Sequence, residues 1–248
     1  MIKSKIIENK WGSFNVPLRL PVGEAPPLPD APWNKLIAAP PISLLRENIE
    51  DGKNLVDVGA CWGFVSVVVG REVMKSGGKV FSFEANPELF KLMDLNLQMN
   101  GIAGEAHHRA VFDDSRSLVC FPEPILGNEI LSTYASFGVD PDRTDGWMVN
   151  AVTLDSMNLP NVGMLKIDAE GCDLKVLIGA KDLLSLHRPI IVFEYTTCAT
   201  CRGANGKPYR PFREPFEDYE KFLKSVDYKI VKRVKNDYLA IPSEKVRQ

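Results

Sequence analysis

Three acidic residues follow two strand-like apolar runs in the second half of the chain and could carry acid–base or metal chemistry. Asp168 and Glu170 come directly after the run Met164–Ile167, and Glu194 ends the run Ile190–Phe193. The carboxyl ends of parallel strands meet at one edge of a sheet, and neighbouring strands lie only ~5 Å apart, so we expect these carboxylates to cluster. Such a cluster can share a proton or hold a hard divalent cation such as Mg²⁺. We predict Asp168 as a general base or metal ligand, supported by Glu170 and Glu194.

Lys166 lies inside the first of these runs and would bring a positive charge to the cluster. Three carboxylates crowded at one edge need compensation, which a lysine or an incoming cation can supply. A lysine in this position is typical of a structural ion pair, and a direct catalytic role is the alternative. The predicted catalytic group is therefore Asp168, Glu170, Glu194 and Lys166, with the three acids as the predicted metal ligands.

A second group of candidate residues surrounds a glycine turn near residue 60. The run Leu55–Val58 is apolar apart from Asp57, and Gly59 and Gly63 follow before an apolar segment of helical length. This order of strand, glycine turn and helix lets a ligand lie against bare backbone, with helix-terminal amides pointing at it. The turn lacks the G-x-G-x-x-G dinucleotide fingerprint, and Asp57 would repel a diphosphate. A cationic ligand suits it better, and S-adenosylmethionine, with its ammonium and sulfonium groups, fits; the alternative is a tight turn without a ligand.

Another acid, Glu84, ends the next strand-like run. In nucleotide-binding α/β folds an acid at the end of the second strand holds the ribose hydroxyls. Asn86 is a good helix N-cap and Pro87 suits the first helical position, so a helix is expected to begin directly after this acid. Glu84 alone would be a weak signal, because glutamates at strand ends are common, but it is fairly specific in combination with the glycine turn.

The third strand-like run, His107–Phe112, is expected to end beside the adenine of the cofactor. There a backbone amide near Val111 and the carboxylate of Asp113 could recognise the base. The full set of predicted cofactor-binding residues is Asp57, Gly59, Ala60, Gly63, Glu84, Ala85, Val111, Asp113 and Asp168.

Hydrophobic periodicity predicts the helices that hold these residues. They span about 42–49, 64–74, 87–99, 173–186 and 215–225. The predicted inner faces carry Leu89, Leu92, Met93, Leu95 and Met99 on the third of these helices, and Leu174, Leu177, Ile178 and Leu184 on the fourth. Two final strand-like runs, Tyr228–Val234 and Tyr238–Ile241, flank Asn236 and Asp237, which predicts an antiparallel hairpin.

Composition bounds the class of protein. A length of 248 residues fits one large α/β domain with extensions. The net charge of −2 gives no basic field for nucleic acid, and no apolar run is long enough to span a membrane. The first residues lack the pattern of a signal peptide, and five cysteines without a disulfide framework are typical of a reducing compartment, so we expect a cytoplasmic protein. Cys198 and Cys201 have zinc-ligand spacing, but no second such pair accompanies them, so two thiols in a loop are the ordinary interpretation.

Two irregular segments are candidates for acceptor recognition. Residues 1–53 form a predicted arm, with weak strand-like alternation in 1–15 and eight of the eighteen prolines in 16–41. The arm either packs over the domain at 54–248 or acts as a lid across the acceptor site. The irregular segment 115–150 has strand-like runs at Leu118–Phe121 and Trp147–Val152. They bracket a loop that contains Ser132, Tyr134, Ser136 and Phe137, and its aromatic content favours a surface facing the acceptor.

Four segments of the chain resemble the FkbM-type branch of S-adenosylmethionine-dependent methyltransferases. They are Val56–Phe64, Phe83–Pro87, Thr153–Ser156 and Leu165–Asp173. The last, L-K-I-D-A-E-G-C-D, is the most specific, since the family pattern is close to L-K-I-D-V-E-G-x-E. The resemblance implies a Rossmann-like, seven-stranded, mostly parallel α/β sheet closed by an antiparallel C-terminal hairpin. It also implies O-methylation of a sugar-like or small-metabolite acceptor. Cys61 and Trp62 depart from the family, which usually has Asn and a small or aliphatic residue there.

Two other functions stay open on the sequence. A nucleotide (NAD)-dependent oxidoreductase shares the strand–turn–helix order, although the missing dinucleotide fingerprint counts against it. A non-catalytic binding module could keep the fold, but the acids Asp57, Glu84 and Asp168 at strand ends count against a decayed site. The sequence leaves the acceptor and the oligomeric state open.

Overall fold

The structure is a computed structural model that describes residues 4–9, 12–17, 40–122, 135–137, 147–195 and 214–246. In chain order the strands are β1 (Ser4–Asn9), β2 (Gly12–Pro17), β3 (Asn54–Val58), β4 (Val80–Glu84), β5 (Gly104–His108), β6 (Ala110–Val111), β7 (Ser117–Pro122), β8 (Ala135–Phe137), β9 (Trp147–Val152), β10 (Val162–Ile167), β11 (Ile190–Glu194), β12 (Tyr228–Val234) and β13 (Asp237–Pro242). The helices are α1 (Pro40–Arg46), α2 (Phe64–Lys75), α3 (Pro87–Met99), α4 (Asp173–Ile178), α5 (Lys181–His187) and α6 (Phe216–Ser225).

The described residues form a seven-stranded central sheet in the order β12-β13-β11-β10-β3-β4-β5. The strands from β11 to β5 in that order run parallel, and β13 pairs antiparallel with both β11 and β12. This confirms the predicted mostly parallel sheet with its antiparallel closing hairpin. The chain builds outward from β3 to β5 and then returns to β10 on the other side of β3. The crevice between the ends of β3 and β10 is therefore the switch point where open α/β sheets bind ligands.

Apolar layers cover both faces of the central sheet. Every residue of β3, β4 and β10 is buried, as expected for parallel strands with helices on both sides. One core contains residues from α1, α2 and α3, and the opposite core contains residues from α4, α5 and α6. Asp57 and Lys166 are the charged residues that these strand interiors contain, and they lie next to each other in the register of β3 and β10.

The third strand differs from the prediction, because β5 ends at His108 and does not reach Phe112. The chain turns at Arg109, whose N–H donates to the carbonyl of His107 (3.0 Å). Residues 110–111 then pair with β9 in a separate sheet of order β6-β9-β7-β8. The segment predicted as one strand therefore contributes to two different sheets.

The predicted helix over 173–186 is two helices, α4 and α5, and the prediction was wrong in its middle. At Gly179 a Cβ atom would lie 2.1 Å from the carbonyl oxygen of Phe112, so the chain there passes against the loop after β6. The Gly179 carbonyl also accepts the N–H of Asp155 (3.0 Å). These contacts take the place of the helical ladder, and Ile178 is 39% exposed rather than inward-facing.

Two residues of the predicted inner face of α3 are also exposed: Leu95 is 39% and Met99 is 38% exposed. The buried face follows the spacing of three and four from Leu89 and includes the polar Asn96. Because Leu95 lies off that line, its apolar side chain did not indicate burial.

Residues 4–9 and 12–17 form the antiparallel pair of β1 and β2, so strands are present where the N-terminal sequence shows strand-like alternation. The two strands predicted to bracket the irregular 115–150 segment are also present, as β7 and β9. Most of the proline-rich stretch, the Cys198–Cys201 pair, Ser132 and Tyr134 lie outside the described residues. In the part of the chain described here, no helix has the length and apolarity needed to cross a membrane.

Candidate cofactor and catalytic site

The glycine turn after β3 is built against the loop that follows β10. Gly59 has φ = +70°, and a Cβ atom there would lie 1.9 Å from the carbonyl oxygen of Asp168. The amides of Gly59 and Ala60 both donate to the carbonyl of Phe83 on β4 (3.0 Å each). Only glycine allows this close approach, so the turn joins the ends of β3, β4 and β10 at the switch point.

Gly63 has a packing role in the structure. It caps α2 with φ = +86°, and a Cβ atom there would lie 3.2 Å from the Met93 side chain of α3. The residue lets the turn approach α3 closely. Its predicted contact with a cofactor stays a prediction.

Glu84 connects the glycine turn to the loop after β4. Its carboxylate accepts the N–H of Cys61 at Oε2 (2.7 Å) and the N–H of Asn86 at Oε1 (2.8 Å). The side chain is 8% exposed, and burial raises its pKa to about 7, although the two amides and Lys166 act in the opposite direction. A carboxylate offers about four lone-pair sites, so the group can still accept from a ligand hydroxyl.

Asp57 does not face the surface, contrary to the expectation that it meets a cationic ligand directly. It is fully buried, accepts from the Ser66 hydroxyl (2.6 Å) and pairs with the Lys166 ammonium (3.1 Å). The reason is the register, which sets Asp57 opposite Lys166 on the neighbouring strand. Asp57 therefore acts on the site by holding Lys166.

Lys166 connects the two halves of the strand-end edge. Its ammonium donates to the carbonyl of Gly59 (2.9 Å) and lies 3.9 Å from Asp168 Oδ2. Burial acts to lower the pKa of Lys166, but Asp57 and Asp168 outweigh it and raise the pKa above its ordinary value. The charged form of the lysine is therefore favoured between these two carboxylates. This is the structural ion pair that the sequence favoured over a direct catalytic role.

The three predicted acids do come together at the ends of β10 and β11. One carboxylate oxygen from each of Asp168, Glu170 and Glu194 lies within 4.8 Å of the others. All three side chains are partly exposed, and the Asp168 side chain is 40% exposed. Glu170 has φ = +52°, a conformation that is uncommon outside glycine and is often kept at functional sites.

The loop that carries these acids is held from below by Asp173. This buried carboxylate accepts the N–H groups of Ala169 (3.2 Å) and Gly171 (3.1 Å). The arrangement fixes the backbone on both sides of Glu170. The L-K-I-D-A-E-G-C-D segment thus contains both the acids of the cluster and the residue that positions them.

Asp237 is a fourth acid at this edge, and the sequence analysis missed it. It lies opposite Glu194 in the β11–β13 register. Burial, together with the charges of Asp168 and Glu194, raises its pKa to about 7. A signal was available: an antiparallel strand begins at the edge where parallel strands end, so an acid that opens β13 must join the cluster.

Ala85 places the end of β4 next to two aromatic side chains. Its carbonyl accepts the indole N–H of Trp147 (3.2 Å), and His108 Nε2 lies 3.1 Å from the same oxygen. Trp147 opens β9, a strand that was predicted without any role for this residue. No local pattern indicates the contact, because it joins residues 62 positions apart.

Val111 and Asp113 lie in different surroundings from those predicted. Val111 pairs with Val152 and is buried in the core, and the N–H of Phe112 is taken by the Val152 carbonyl (2.9 Å). Asp113 pairs with Lys175 of α4 (3.0 Å). The end of β5 therefore does not carry them, and their contact with an adenine stays a prediction.

Comparisons with known proteins bear on the family and the fold of the chain. Residues 57–230 match the profile of the methyltransferase FkbM domain. The crystal structure of methyltransferase FkbM from Methylobacillus flagellatus is similar over 79% of this chain and 48% of that chain, with 16% identity and a TM-score of 0.50. The chain thus spans about half the length of that protein.

Two further solved structures are similar over most of both chains. A SAM-dependent methyltransferase from Aquifex aeolicus is matched over 86% of this chain and 94% of that chain, with 14% identity and a TM-score of 0.46. A precorrin-6y C5,15-methyltransferase from Geobacter metallireducens is matched over 89% and 95%, with 16% identity and a TM-score of 0.45. No curated protein is significantly similar in sequence to the chain.

Proposed function

We propose that this chain, which belongs to the FkbM family of methyltransferases, transfers a methyl group from S-adenosylmethionine to a hydroxyl of a small or sugar-like acceptor. Membership of this family supports S-adenosylmethionine as the methyl donor. The hydroxyl acceptor and the roles of individual residues are the proposal. The observation that carries it is the carboxylate cluster of Asp168, Glu170 and Glu194 beside the glycine turn at the switch point.

The reaction is an in-line displacement at the activated methyl carbon. The acceptor oxygen attacks that carbon, the carbon–sulfur bond breaks, and its electron pair goes to sulfur, which leaves S-adenosylhomocysteine. Holding the reacting atoms in line can contribute ~7–11 kcal/mol to lowering the barrier. Glu84 is the proposed anchor for the ribose, because its carboxylate is fixed by two backbone amides at the end of β4.

The acceptor hydroxyl must also lose its proton, and Asp168 is the proposed base. It is partly exposed at the switch point, and the Lys166 ammonium 3.9 Å away orients it. A positioned base contributes typically ~10²–10⁴-fold to the rate. Glu170 and Glu194 would raise the local negative charge and help to hold the acceptor.

A divalent cation is a variant of the same proposal. Oxygen atoms that lie within 4.8 Å of one another can all reach one ion, since Mg²⁺ and Ca²⁺ bind oxygen at ~2.0–2.6 Å. Such an ion would be held by Asp168, Glu170 and Glu194 and would acidify the hydroxyl in place of a base. Magnesium dependence of turnover separates the two variants.

The segments outside the strand-end edge are proposed to select the acceptor. They are the N-terminal 1–53 arm and the 115–150 segment, in which β7, β8 and β9 are described. A cytoplasmic location and the boundary at residue 53 also stay proposals.

The first test is calorimetric titration with S-adenosylmethionine, S-adenosylhomocysteine and NAD in parallel, with and without magnesium. We expect micromolar binding of the first two and no binding of NAD. Binding of NAD alone would instead indicate an oxidoreductase, and no binding of any of the three would indicate a binding module. A panel of sugars, other alcohols and amines with labelled S-adenosylmethionine then tests the acceptor, and transfer only to amines would contradict the hydroxyl.

A further inference from the structure

Phe14, on β2, reaches the core beside the glycine turn from outside the family-matched region. Its side chain is fully buried in the core that covers the α1–α3 face of the sheet. The ring packs edge-on against Trp62, with centroids 5.7 Å apart and planes at 89°, and lies 5.3 Å from the ring of Phe64. Trp62 and Phe64 in turn lie 5.2 Å apart, so the three rings form one cluster.

A second set of contacts fixes the β1–β2 hairpin to α3. The Asn100 side chain accepts the N–H of Ser13 (3.0 Å) and donates to the carbonyl of Ser13 (2.6 Å). Arg71 of α2 donates to the same Asn100 oxygen (2.9 Å). The residue next to Phe14 is thus held by both of its backbone polar groups, which sets the depth to which the ring enters the core.

Trp62 belongs to the turn that the cofactor has to meet. The preceding residue, Cys61, donates its N–H to Glu84, and the Trp62 carbonyl accepts from the buried Asn96 of α3 (2.7 Å). Cys61 has φ = +55°, and Gly63 has φ = +86°. Glycine adopts a positive φ readily, whereas Cys61 has a conformation that is uncommon for its residue type and is held there by its surroundings.

We propose that Phe14 is a positioning residue of the cofactor site, which acts through the Trp62 ring to keep the Cys61 amide on the Glu84 carboxylate. The proposal rests on the proposed function, because it presumes that this turn binds S-adenosylmethionine. Without the Phe14 ring, the Trp62 ring loses a packing contact. The turn then populates conformations that do not bind the cofactor. Apparent affinity falls in proportion to the population that remains competent.

The consequence is that the β1–β2 hairpin is a working part of the cofactor site and not only a cover. Phe14 touches neither cofactor nor acceptor in this proposal. Its loss should therefore weaken cofactor binding while turnover at saturating cofactor changes little.

The test compares Phe14→Ala and Phe14→Leu with Val73→Ala as a matched control. Val73 is fully buried in the same core but lies near the other end of α2, where it packs against Gly78. At a rise of ~1.5 Å per residue it is ~13–14 Å along the helix from Phe64. All three variants lose core packing, and only the Phe14 variants alter the Trp62 contact. Phe14→Leu keeps the apolar bulk, which guards against a variant that fails to fold.

We expect the Kd for S-adenosylmethionine to rise about tenfold in Phe14→Ala, which corresponds to about 1.4 kcal/mol. A smaller rise is expected in Phe14→Leu, and Val73→Ala should stay within about twofold of wild type. The KM for S-adenosylmethionine should rise with the Kd while kcat is retained. The fluorescence of Trp62 is obtained as the difference between each protein and its Trp62→Phe counterpart. Acrylamide should quench this fluorescence more strongly in the Phe14 variants only.

An unchanged Kd in both Phe14 variants would overturn the proposal, and so would an equal loss in Val73→Ala. A loss confined to kcat would also overturn it. If wild type itself fails to bind S-adenosylmethionine, both the proposed function and this inference are wrong. If wild type binds S-adenosylmethionine and the Phe14 variants bind it equally well, this inference is wrong and the proposed function stands.

Discussion

The strand-end edge of the sheet has two halves that differ in the burial and the surroundings of their carboxylates. On the β4 side, both oxygens of the Glu84 carboxylate are bonded to backbone amides, and the side chain is 8% exposed. On the β10–β11 side, Asp168, Glu170 and Glu194 crowd their oxygens within 4.8 Å while their side chains stay partly exposed.

This difference indicates a division of labour. The β4 half, which is the proposed cofactor half, is pre-organised by these hydrogen bonds, so little binding free energy would be spent on ordering it. The acidic half keeps concentrated negative charge, and the raised pKa of Asp237 reports burial and the repulsion from Asp168 and Glu194. In the proposed function, that charge serves to remove a proton from the acceptor or to hold a cation.

Lys166 stands between the halves and belongs to both. It bonds to the carbonyl of Gly59 on one side and approaches Asp168 on the other, above the buried Asp57. Variants in either half, or at Lys166 itself, therefore test whether the two halves have separate roles.

The largest expected effect comes from the acidic half. Asp168→Ala should abolish turnover, by ~10²–10⁴-fold or more, while S-adenosylmethionine still binds, because the variant removes the base and leaves Glu84 in place. Single-turnover kinetics and calorimetry on the same sample measure the two quantities. Asp94→Ala on α3 is the control and should match wild type. Retained turnover in Asp168→Ala would place the base elsewhere.

Next in size is the effect of removing the connecting cation. Lys166→Met leaves the fully buried Asp57 without its ammonium partner, so the free energy of unfolding should fall by ~3–5 kcal/mol. Urea denaturation measures the loss. Adding Asp57→Asn in the same chain should recover part of it, since the buried charge is then gone.

The exposed pair between Arg188 and Glu244 (2.7 Å) supplies the contrast for that experiment. Breaking it with Glu244→Gln should cost less than ~1 kcal/mol, because solvent screens a surface pair. Equal losses at the buried and exposed pairs would contradict the burial argument.

In the cofactor half, Glu84→Ala should weaken S-adenosylmethionine binding by ~2 kcal/mol, or roughly thirtyfold. The variant removes the acceptor for the ribose hydroxyls and also the anchor of the Cys61 amide. Turnover at saturating cofactor should fall less than in Asp168→Ala. An unchanged dissociation constant would remove Glu84 from the cofactor site.

The pH dependence gives the half of the edge around Glu84 a signature of its own. The pKa of Glu84 is about 7 in the folded chain against an ordinary value of 4.5, so between these values the folded chain holds a proton that the unfolded chain has lost. The free energy of unfolding should therefore fall as pH rises from about 4.5 to about 7 and level off above. Affinity for S-adenosylmethionine should rise over the same window, because the ionised carboxylate is the better acceptor.

Stability and affinity thus move in opposite directions with pH. Glu84→Gln should flatten the affinity profile and leave in the stability profile the slope due to Asp237, whose pKa is also about 7. Denaturant titrations and calorimetry at matched pH values measure both. A Glu84→Gln affinity profile that still rises with pH would assign the titration to another group.

Much of the fold could be predicted because its signals are local. The buried runs of β3, β4, β10 and β11 are short and apolar, and glycine, asparagine or proline lies near their ends. Their order along the chain could therefore be predicted. The acid cluster followed from one geometric rule about parallel strand ends. That rule overlooked Asp237, because β13 runs in the opposite direction and presents its first residue at the same edge.

Errors occurred where a distant segment overrode a local pattern. The helix over 173–186 breaks because Gly179 meets the carbonyl of Phe112, and the third strand divides because Val111 pairs with Val152. Periodicity within a window contains no information about either partner.

The sequence by itself determined the strand–turn–helix order, the acids at the strand ends and the family to which they point, since each depends on residues within a few positions of one another. Only the tertiary structure decided that the buried Asp57 pairs with Lys166, that Asp237 lies opposite Glu194 and that Phe14 reaches Trp62. The physical reason is that burial and charge compensation are settled by strand register and packing between segments 43 to 109 residues apart, and no local pattern encodes which of those segments meet.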